Sequence, residues 1–318
     1  MATVAILGCA GYTGQETLDR VLAHPGLELV ALGSDSLQGR PAHALDPRLA
    51  GELPDFVGNE AAAASGAELI FLCLENSQAA SFVPPPEAIV VDLSGVHRLR
   101  EQRLALSWYG LAPGAWSYGL PELYPATGRL IANPGCYATA ALLALAPLAP
   151  VTGGAVVVDG KSGVTGAGKT LRERSHAGAV LENLSAYALG GHRHAPEIEQ
   201  ALGFAVCFVP HLLPLRRGLL ATCYLQTSGD ARALLERAYA GSPVVRVLAP
   251  GVEPELGRLH GTDAAELAVF SDSQTGTTIV TCAIDNLGKG AAGQAIQNAN
   301  LALGLAETDG LRLGGVLV

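Results

Sequence analysis

The chain has 318 residues, 49% of them apolar and 15% charged, which suits a compact protein of about two domains around a sizeable core. A net charge of −9 and a pI near 5.4 argue against nucleic acid or an anionic membrane surface as partner, and an anionic small molecule would need local positive groups. The longest apolar run, Ala138 to Val151, is too short to cross a bilayer and contains Pro147 and Pro150, while Met1 to Gly8 lacks the basic region of a signal peptide. Cys9, Cys73, Cys136, Cys207, Cys223 and Cys282 form no C-x-x-C pair, so metal-knuckle and redox-motif readings fail and a reduced, cytoplasmic protein is expected. Cys73, Cys207, Cys223 and Cys282 lie in strand-like runs, where free cysteine acts as a small buried hydrophobe.

Thr3 to Leu7 reads as a buried strand leading into Gly8-Cys9-Ala10-Gly11-Tyr12-Thr13-Gly14. A helix with Leu18, Val21 and Leu22 on its apolar face then breaks at His24-Pro25-Gly26, and Leu27 to Leu32 forms a second strand. This is a strand, glycine loop, helix and strand of the dinucleotide-binding type, in which loop amides and the helix amino end hold a pyrophosphate. Its spacing is G-x-x-G-x-x-G rather than the usual G-x-G-x-x-G. Asp35 follows the second strand where an acid bonds the ribose 2′-OH of NAD; it reads equally as a capping residue in Gly33-Ser34-Asp35-Ser36. Arg40, close by, suits a 2′-phosphate instead. Leu69 to Leu74 and Ala88 to Leu93 continue the rhythm, and Arg98 beyond them stands where open α/β sheets place ligands. Trp108 to Thr127 is rich in turns.

Leu130 to Ala132 is a short strand, Asn133-Pro134-Gly135 a turn, and Ala140 to Leu145 a strong helix former ending at Pro147. Cys136 therefore stands where a turn becomes a helix, and the unpaired amides and dipole there favour a thiolate. Beyond Pro150, Ala155 to Asp159, Ala205 to Val209, Leu219 to Gln226, Val244 to Ala249 and Ile279 to Ile284 read as strands, with a helix only at Arg232 to Ala240. The fold class is α/β: a Rossmann-type dinucleotide-binding domain over residues 1–133, then an α+β domain over 134–289 with a mixed, largely antiparallel sheet. A final helix, Gly290 to Gly304, carrying Ile296, Ala299, Asn300 and Leu303 on one face, is expected to return, so that residues 290–318 complete the first domain.

Gly163-Val164-Thr165-Gly166-Ala167-Gly168-Lys169-Thr170 matches the P-loop pattern letter for letter, so a nucleotide-utilising enzyme is a remote alternative. Little amphipathic pattern follows over Leu171 to Gly178, and no strand ending in Asp is placed for a magnesium ion. A flexible glycine-rich loop with amides open to substrate or cofactor is the preferred reading. Gly190-Gly191-His192-Arg193-His194-Ala195-Pro196-Glu197 is the densest polar cluster. If extended, its two histidines share one face, suiting either an acid/base pair or, with His211, a zinc ion; no carboxylate has a telling spacing, and no metal is assigned.

Together these stretches resemble the N-acetyl-γ-glutamyl-phosphate reductases of arginine biosynthesis, relatives of the aspartate-semialdehyde dehydrogenases. The resemblance rests on the Gly8 to Gly14 loop, Gly119 to Leu123, Asn133 to Tyr137, Lys161 to Gly168, His192 to Ile198, Pro210 to Gly218 and Asp285 to Gly290. It implies NADPH-dependent reduction of an acyl phosphate to a semialdehyde with release of phosphate, by a homodimer or homotetramer. Cys136 would form the thioester and His192 or His194 would move the proton. Arg98, Asn133, Ser162, Arg193, Glu197 and Arg217 would bind substrate. Gly8, Gly11, Tyr12, Thr13, Gly14, Ser34, Asp35, Gly166 and Asn286 would contact NADP(H). Ser34-Asp35 stands where many relatives carry Arg, which keeps NAD open. Glu75-Asn76 replaces the family's Pro-His, and Val96-His97 its Asp-Phe. The nearest alternative is the lysine-branch aminoadipyl-phosphate reductase; intact Asn-Pro-Gly-Cys and Lys-Ser-Gly-Val stretches favour the arginine branch.

Overall fold

The computed structural model describes residues 1–49, 51–170, 173 and 176–315. The chain divides into two compact units, the first built from Met1–Pro134 and Ala291–Leu311, the second from Gly135–Gly290 and the segment beginning at Arg312.

The first unit starts with β1 (Ala2–Leu7), α1 (Tyr12–Ala23), β2 (Leu27–Gly33), β3 (Phe56–Val57), α2 (Asn59–Ala63) and β4 (Leu69–Leu72). It continues with α3 (Asn76–Ser81), β5 (Ile89–Asp92), α4 (Gln102–Tyr109), β6 (Ser117–Tyr118) and β7 (Leu130–Ala132). Its sheet has the order β3-β2-β1-β4-β5-β7-β6, and every pairing is parallel. β4 is buried along its whole length, and β1 and β5 are buried beyond their half-buried first residues, as a sheet covered on both faces requires. Strand order reverses between β1 and β4, so the glycine loop after β1 lies at the switch point where such sheets bind ligands. The helix α4 ends inside the stretch expected to be rich in turns. Gly110, left-handed at φ 68°, closes it.

The second unit contains α5 (Cys136–Leu145), β8 (Thr152–Gly163), α6 (Ala177–Val180), β9 (Ser185–Ala186), α7 (His194–Leu202), β10 (Cys207–Leu213) and β11 (Leu219–Thr227). After these come α8 (Ala231–Ala238), β12 (Val245–Val247), α9 (Leu256–Leu259), β13 (Ala265–Asp272) and β14 (Thr277–Ile284). The order is β12-β13-β14-β11-β8-β10-β9, with β8/β10 and β12/β13 parallel and the other pairs antiparallel. The mixed, largely antiparallel sheet expected from the sequence is present. One face, with Val156, Val158, Ala221, Cys223 and Cys282, is buried, and α5 packs on the β11 and β14 strands. Tyr137 to Leu145 of α5 are all buried, which explains a helix apolar on every side. Several elements differ from expectation: β8 extends to Gly163 and β10 to Leu213, while α7, β13 and the short α6, β9 and α9 were not foreseen. Cys207 is exposed at the start of β10, not packed as a small hydrophobe, whereas Cys223 and Cys282 are buried.

The chain returns to the first unit as α10 (Gly293–Leu303). Ala295, Ile296 and Ala299 enter the same apolar cluster as Val4, Leu18, Val21 and Phe71. This helix stops at Leu303, because Gly304 takes the left-handed conformation at φ 70°.

Candidate active site

In the first unit the glycine loop is shaped by close approach. Gly8 has φ +75°, and a Cβ there would lie 2.2 Å from the Cys73 carbonyl oxygen; at Gly14 it would lie 2.5 Å from that of Gly8. Gly11 caps α1, and the first-turn amides of Tyr12, Thr13 and Gly14 point out of the helix as an anion cradle. These features fit a pyrophosphate-bearing cofactor. The N–H of Gly8 donates to Oδ1 of Asn59 at 2.9 Å. Asn59 in turn donates from its backbone and its amide to the two oxygens of Asp35, at 2.9 and 2.8 Å. Asp35 thus holds the start of α2. Ser34 is buried, with its hydroxyl 3.2 Å from that of Ser36.

Arg98 is nearly buried; its Nε and Nη2 donate to the carbonyls of Asn133 and Leu93, both at 2.8 Å, which sets the guanidinium plane. Asn133 is fully built into the unit. Its N–H donates to Asp92, its amide donates to Ala291, and its Oδ1 accepts from Asn298.

In the second unit Cys136 is the first residue of α5, with Gly135 as N-cap and the thiol-bearing residue half-buried. The N–H of Gly135 donates to the buried carboxylate of Glu197 at 2.8 Å, tying α7 to the amino end of α5. Gly290 lies against the cysteine: a Cβ there would sit 2.8 Å from Cys136 Cβ. The next residue, Tyr137, lays its ring over Gly160 and donates its hydroxyl to the carbonyl of His211 at 2.9 Å.

The histidines do not lie on an extended strand, because His194 opens α7 and turns the chain. Pro196 is tolerated there, since a first-turn residue needs no amide donor. The His192 ring is enclosed by Tyr137, Tyr187, His194 and Phe208, with ring centroids 5.7, 5.5, 4.9 and 5.1 Å away. The N–H of His194 donates to Nδ1 of His192 at 3.1 Å. Burial, and secondarily the charge of Arg193, hold the pKa of His192 down to about 4. Arg193 itself is exposed. Burial pushes Tyr187 up to about 12 and raises Tyr137 further. Tyr187, Phe208 and Gly290 escaped the sequence reading. Their places depend on strand pairings remote in the chain, although Gly290 closes a motif that was noted.

The remaining candidates are held by neighbours. Arg217 donates from Nε and Nη2 to the fully buried carboxylate of Asp285, at 2.5 and 3.1 Å. That carboxylate also accepts from the amides of Gly261, Leu287 and Gly288. Asn286 bridges Thr165 Oγ1 and the N–H of Gly218. Ser162 is buried beside Gly166, where a Cβ would be 2.8 Å from its hydroxyl. His211 Nδ1 faces Asp159 Oδ1 at 3.0 Å, and among the described residues no three His, Cys, Asp or Glu are grouped to hold a metal.

The P-loop letters have another use. The amides of Gly163, Val164 and Thr165 donate to the carbonyls of Gly218, Leu215 and Arg216, so they do not form a phosphate cradle. Of the segment read as lacking an amphipathic helix, residues 171, 172, 174 and 175 lie outside the described residues; α6, which begins at its last two residues, has only four. No described helix is long and apolar enough to cross a membrane.

A family model described as "Semialdehyde dehydrogenase, NAD binding domain" matches residues 3–130, and one described as "Semialdehyde dehydrogenase, dimerisation domain" matches residues 136–286. The N-acetyl-gamma-glutamyl-phosphate reductase of Acidothermus cellulolyticus is 43% identical over 99% of both chains, and that of Salinispora arenicola 42% identical over 98% of both. Among solved structures, aspartate semialdehyde dehydrogenase II of Vibrio cholerae complexed with ASA has a TM-score of 0.75 at 17% identity, covering 95% of this chain and 98% of that one. Aspartate semialdehyde dehydrogenase with NADP from Candida albicans has a TM-score of 0.64 at 14% identity, covering 95% of this chain and 98% of that one.

Proposed function

The chain belongs to the N-acetyl-gamma-glutamyl-phosphate reductase family, and from that premise we propose that it reduces N-acetyl-γ-glutamyl phosphate to N-acetylglutamate semialdehyde, releasing phosphate, in arginine biosynthesis. The observation that carries this reading is Cys136 at the amino end of a buried helix, next in sequence to the tyrosine that packs on the His192 and His194 rings. The helix end favours the thiolate, which attacks the acyl carbon; phosphate leaves and a thioester remains on Sγ.

His194 takes the thiol proton. His192 complements it as a donor: with Nδ1 accepting from a backbone amide, its single proton sits on Nε2 and is presented to the acyl oxygen. Arg98 binds an oxyanion group of the substrate through its charge and fixed plane. Glu197, Asn133, Arg217, Ser162 and Asn286 act mainly by holding the loops that bear these groups.

When bound, the reduced nicotinamide supplies the hydride. Gly8, Gly11, Tyr12, Thr13 and Gly14 would hold its pyrophosphate. We assign the cofactor as NADP(H). Asp35 is an acid after β2, but its two oxygens are taken by Asn59, and Arg40 in the same loop offers positive charge. The assembly we assign is a homodimer in the cytoplasm, joined through the half-buried sheet face bearing Val157, Leu220, Tyr224 and Ile279.

Intact-mass analysis after mixing the enzyme with the acyl phosphate, NADPH omitted, tests the reading. An N-acetylglutamyl adduct on Cys136, absent in Cys136→Ser, is expected. Acylation only by an aminoadipyl phosphate would assign the lysine-branch substrate instead, and no adduct with either would end the thioester mechanism.

A further inference from the structure

The loop after β5 carries Arg98, and the residue before it is an unusual anchor. His97 is 7% exposed and its ring stacks on Trp116, centroids 4.6 Å apart and planes 4° from parallel. Its Nδ1 accepts from the N–H of Gly114 at 2.9 Å, and Nε2 lies 3.4 Å from the carbonyl oxygen of Ala79. One tautomer satisfies both contacts, the neutral ring with its proton on Nε2. The same ring therefore joins three segments: the loop after β5, helix α3 and the turn at Gly114 to Trp116. The loop is otherwise pinned by Ser94, which donates from N–H and Oγ to the buried Asp92 carboxyl at 2.9 and 2.7 Å, and by Gly95, which donates to Asn76 Oδ1 at 2.8 Å.

We propose that His97 is a positioning residue for substrate binding: its neutral ring locks the loop so that Arg98 keeps its aim on the substrate oxyanion, and a second proton on the ring releases that lock. The inference rests on Arg98 being an oxyanion ligand, as proposed above. Protonation puts a hydrogen on Nδ1, where it meets the N–H of Gly114 donor to donor, and the turn must withdraw.

The groups facing the ring decide whether this happens in an accessible range. From β5 the facing group is Asp92, and from the loop itself Arg98. From α3 and the turn come only Ala79, Gly114 and Trp116, none of which titrates. Burial lowers the pKa of His97, and Asp92, itself raised by burial, opposes that shift. The lock is thus complete above the unperturbed value near 6.5 and is lost as pH falls through the lowered one.

The test compares the wild type with His97→Phe, which keeps a flat ring on Trp116 but has no nitrogen to protonate. KM for phosphate and kcat are measured in the phosphorolytic direction at pH 5.5 and 7.5; both proteins see the same ionisation of phosphate. The expected result is a KM ratio between the two pH values about two- to tenfold larger in the wild type, the worth of one hydrogen bond, with kcat ratios equal. Equal KM ratios would overturn the proposal. If His97→Phe does not fold, an NMR titration of the His97 Cε1–H in the wild type replaces it. A midpoint matching the acid limb of KM supports the lock, and one displaced from it by more than about a pH unit, itself a difference of about 1.4 kcal/mol, rejects it. Arg98→Lys separates the two readings. An unchanged KM for phosphate would remove Arg98 as oxyanion ligand and the proposal with it, whereas a raised KM beside equal pH ratios would reject His97 alone.

Discussion

The backbone N–H of His194 donates to Nδ1 of His192 at 3.1 Å, so the two rings of the His-Arg-His motif are unequal. Helix α7 begins at His194, and its first amides have no acceptor within the helix. The ring of His192 takes one of them and is thereby fixed with its proton on Nε2.

That relationship makes His192 a donor that stays neutral. Its folded pKa of about 4 lies below the unperturbed value near 6.5. The neutral form is therefore the favoured one in the fold, and its contribution to stability is complete above about pH 6.5 and lost as pH falls through 4. The limiting rate of hydride transfer should show no acid limb from His192 down to about pH 5. His192→Asn, whose amide oxygen can replace Nδ1, should fold normally yet lose about 10²-fold or more in kcat. A stopped-flow pH profile checks both; a limb near 6.5 that vanishes in the variant would contradict the assigned tautomer.

Arg217 and Asp285 form a part-buried pair whose fully buried carboxylate also gathers three backbone amides. Asp285→Asn leaves a largely covered guanidinium without its counter-charge and weakens the acceptor of three amides, and about 3 kcal/mol of stability should be lost. Urea unfolding measures this. A loss below about 1 kcal/mol, the scale of a surface pair, would show that Arg217 is solvated in solution.

The parts of this site that were legible in the sequence depend on neighbours close in the chain. Asn-Pro-Gly before an alanine-rich run announces a turn and a helix start, and Cys136 stands there. The glycine loop between β1 and α1 is equally local. Helix α7 was hidden because His192 and His194 suggest a polar loop, and its register is set by Glu197 reaching Gly135 in another element. Strand β13 was masked by the buried Glu266, which breaks the apolar pattern and is satisfied by Arg258 at 3.1 Å. The last residues of β8, beyond the strand expected to end at Asp159, were hidden because Gly160 and Gly163 look like turn glycines. Gly160 instead makes room for the Tyr137 ring, and Gly163 for the backbone at Leu215 and Arg217.

Asp35 belongs to the cap of α2, so removing its charge should leave cofactor choice alone. In Asp35→Asn the NADPH to NADH ratio of kcat/KM is expected to stay at the wild-type value, while stability falls by about 1 kcal/mol from the weakened cap. Asn59→Ala should behave differently. It frees the N–H of Gly8 and loosens the glycine loop, raising the Kd of the dinucleotide in a fluorescence titration. A marked gain in NADPH affinity in Asp35→Asn would instead place the carboxylate against the nucleotide.

Gly290 gives the sharpest test of how closely the nucleophile is confined. A methyl group there meets Cys136 Cβ at 2.8 Å, the carbonyl oxygen of Asp285 at 3.1 Å and Ile284 Cδ1 at 3.2 Å. Neither of the first two is the loose end of a side chain: one belongs to the first residue of a buried helix, the other to backbone beside a part-buried ion pair. The strain must then move the amino end of α5 or the loop carrying Gly290. Displacing a reacting atom by about 1 Å costs on the order of 10²-fold in rate. Gly290→Ala should therefore remain folded, lose about that factor in kcat/KM and slow the alkylation of Cys136 by iodoacetamide. Gly178→Ala, with no heavy atom within 4 Å of the added Cβ, is the matched control. If alkylation proceeds equally fast in both variants, the glycine is not what keeps the thiol in place, and the confinement must come from the Tyr137 side.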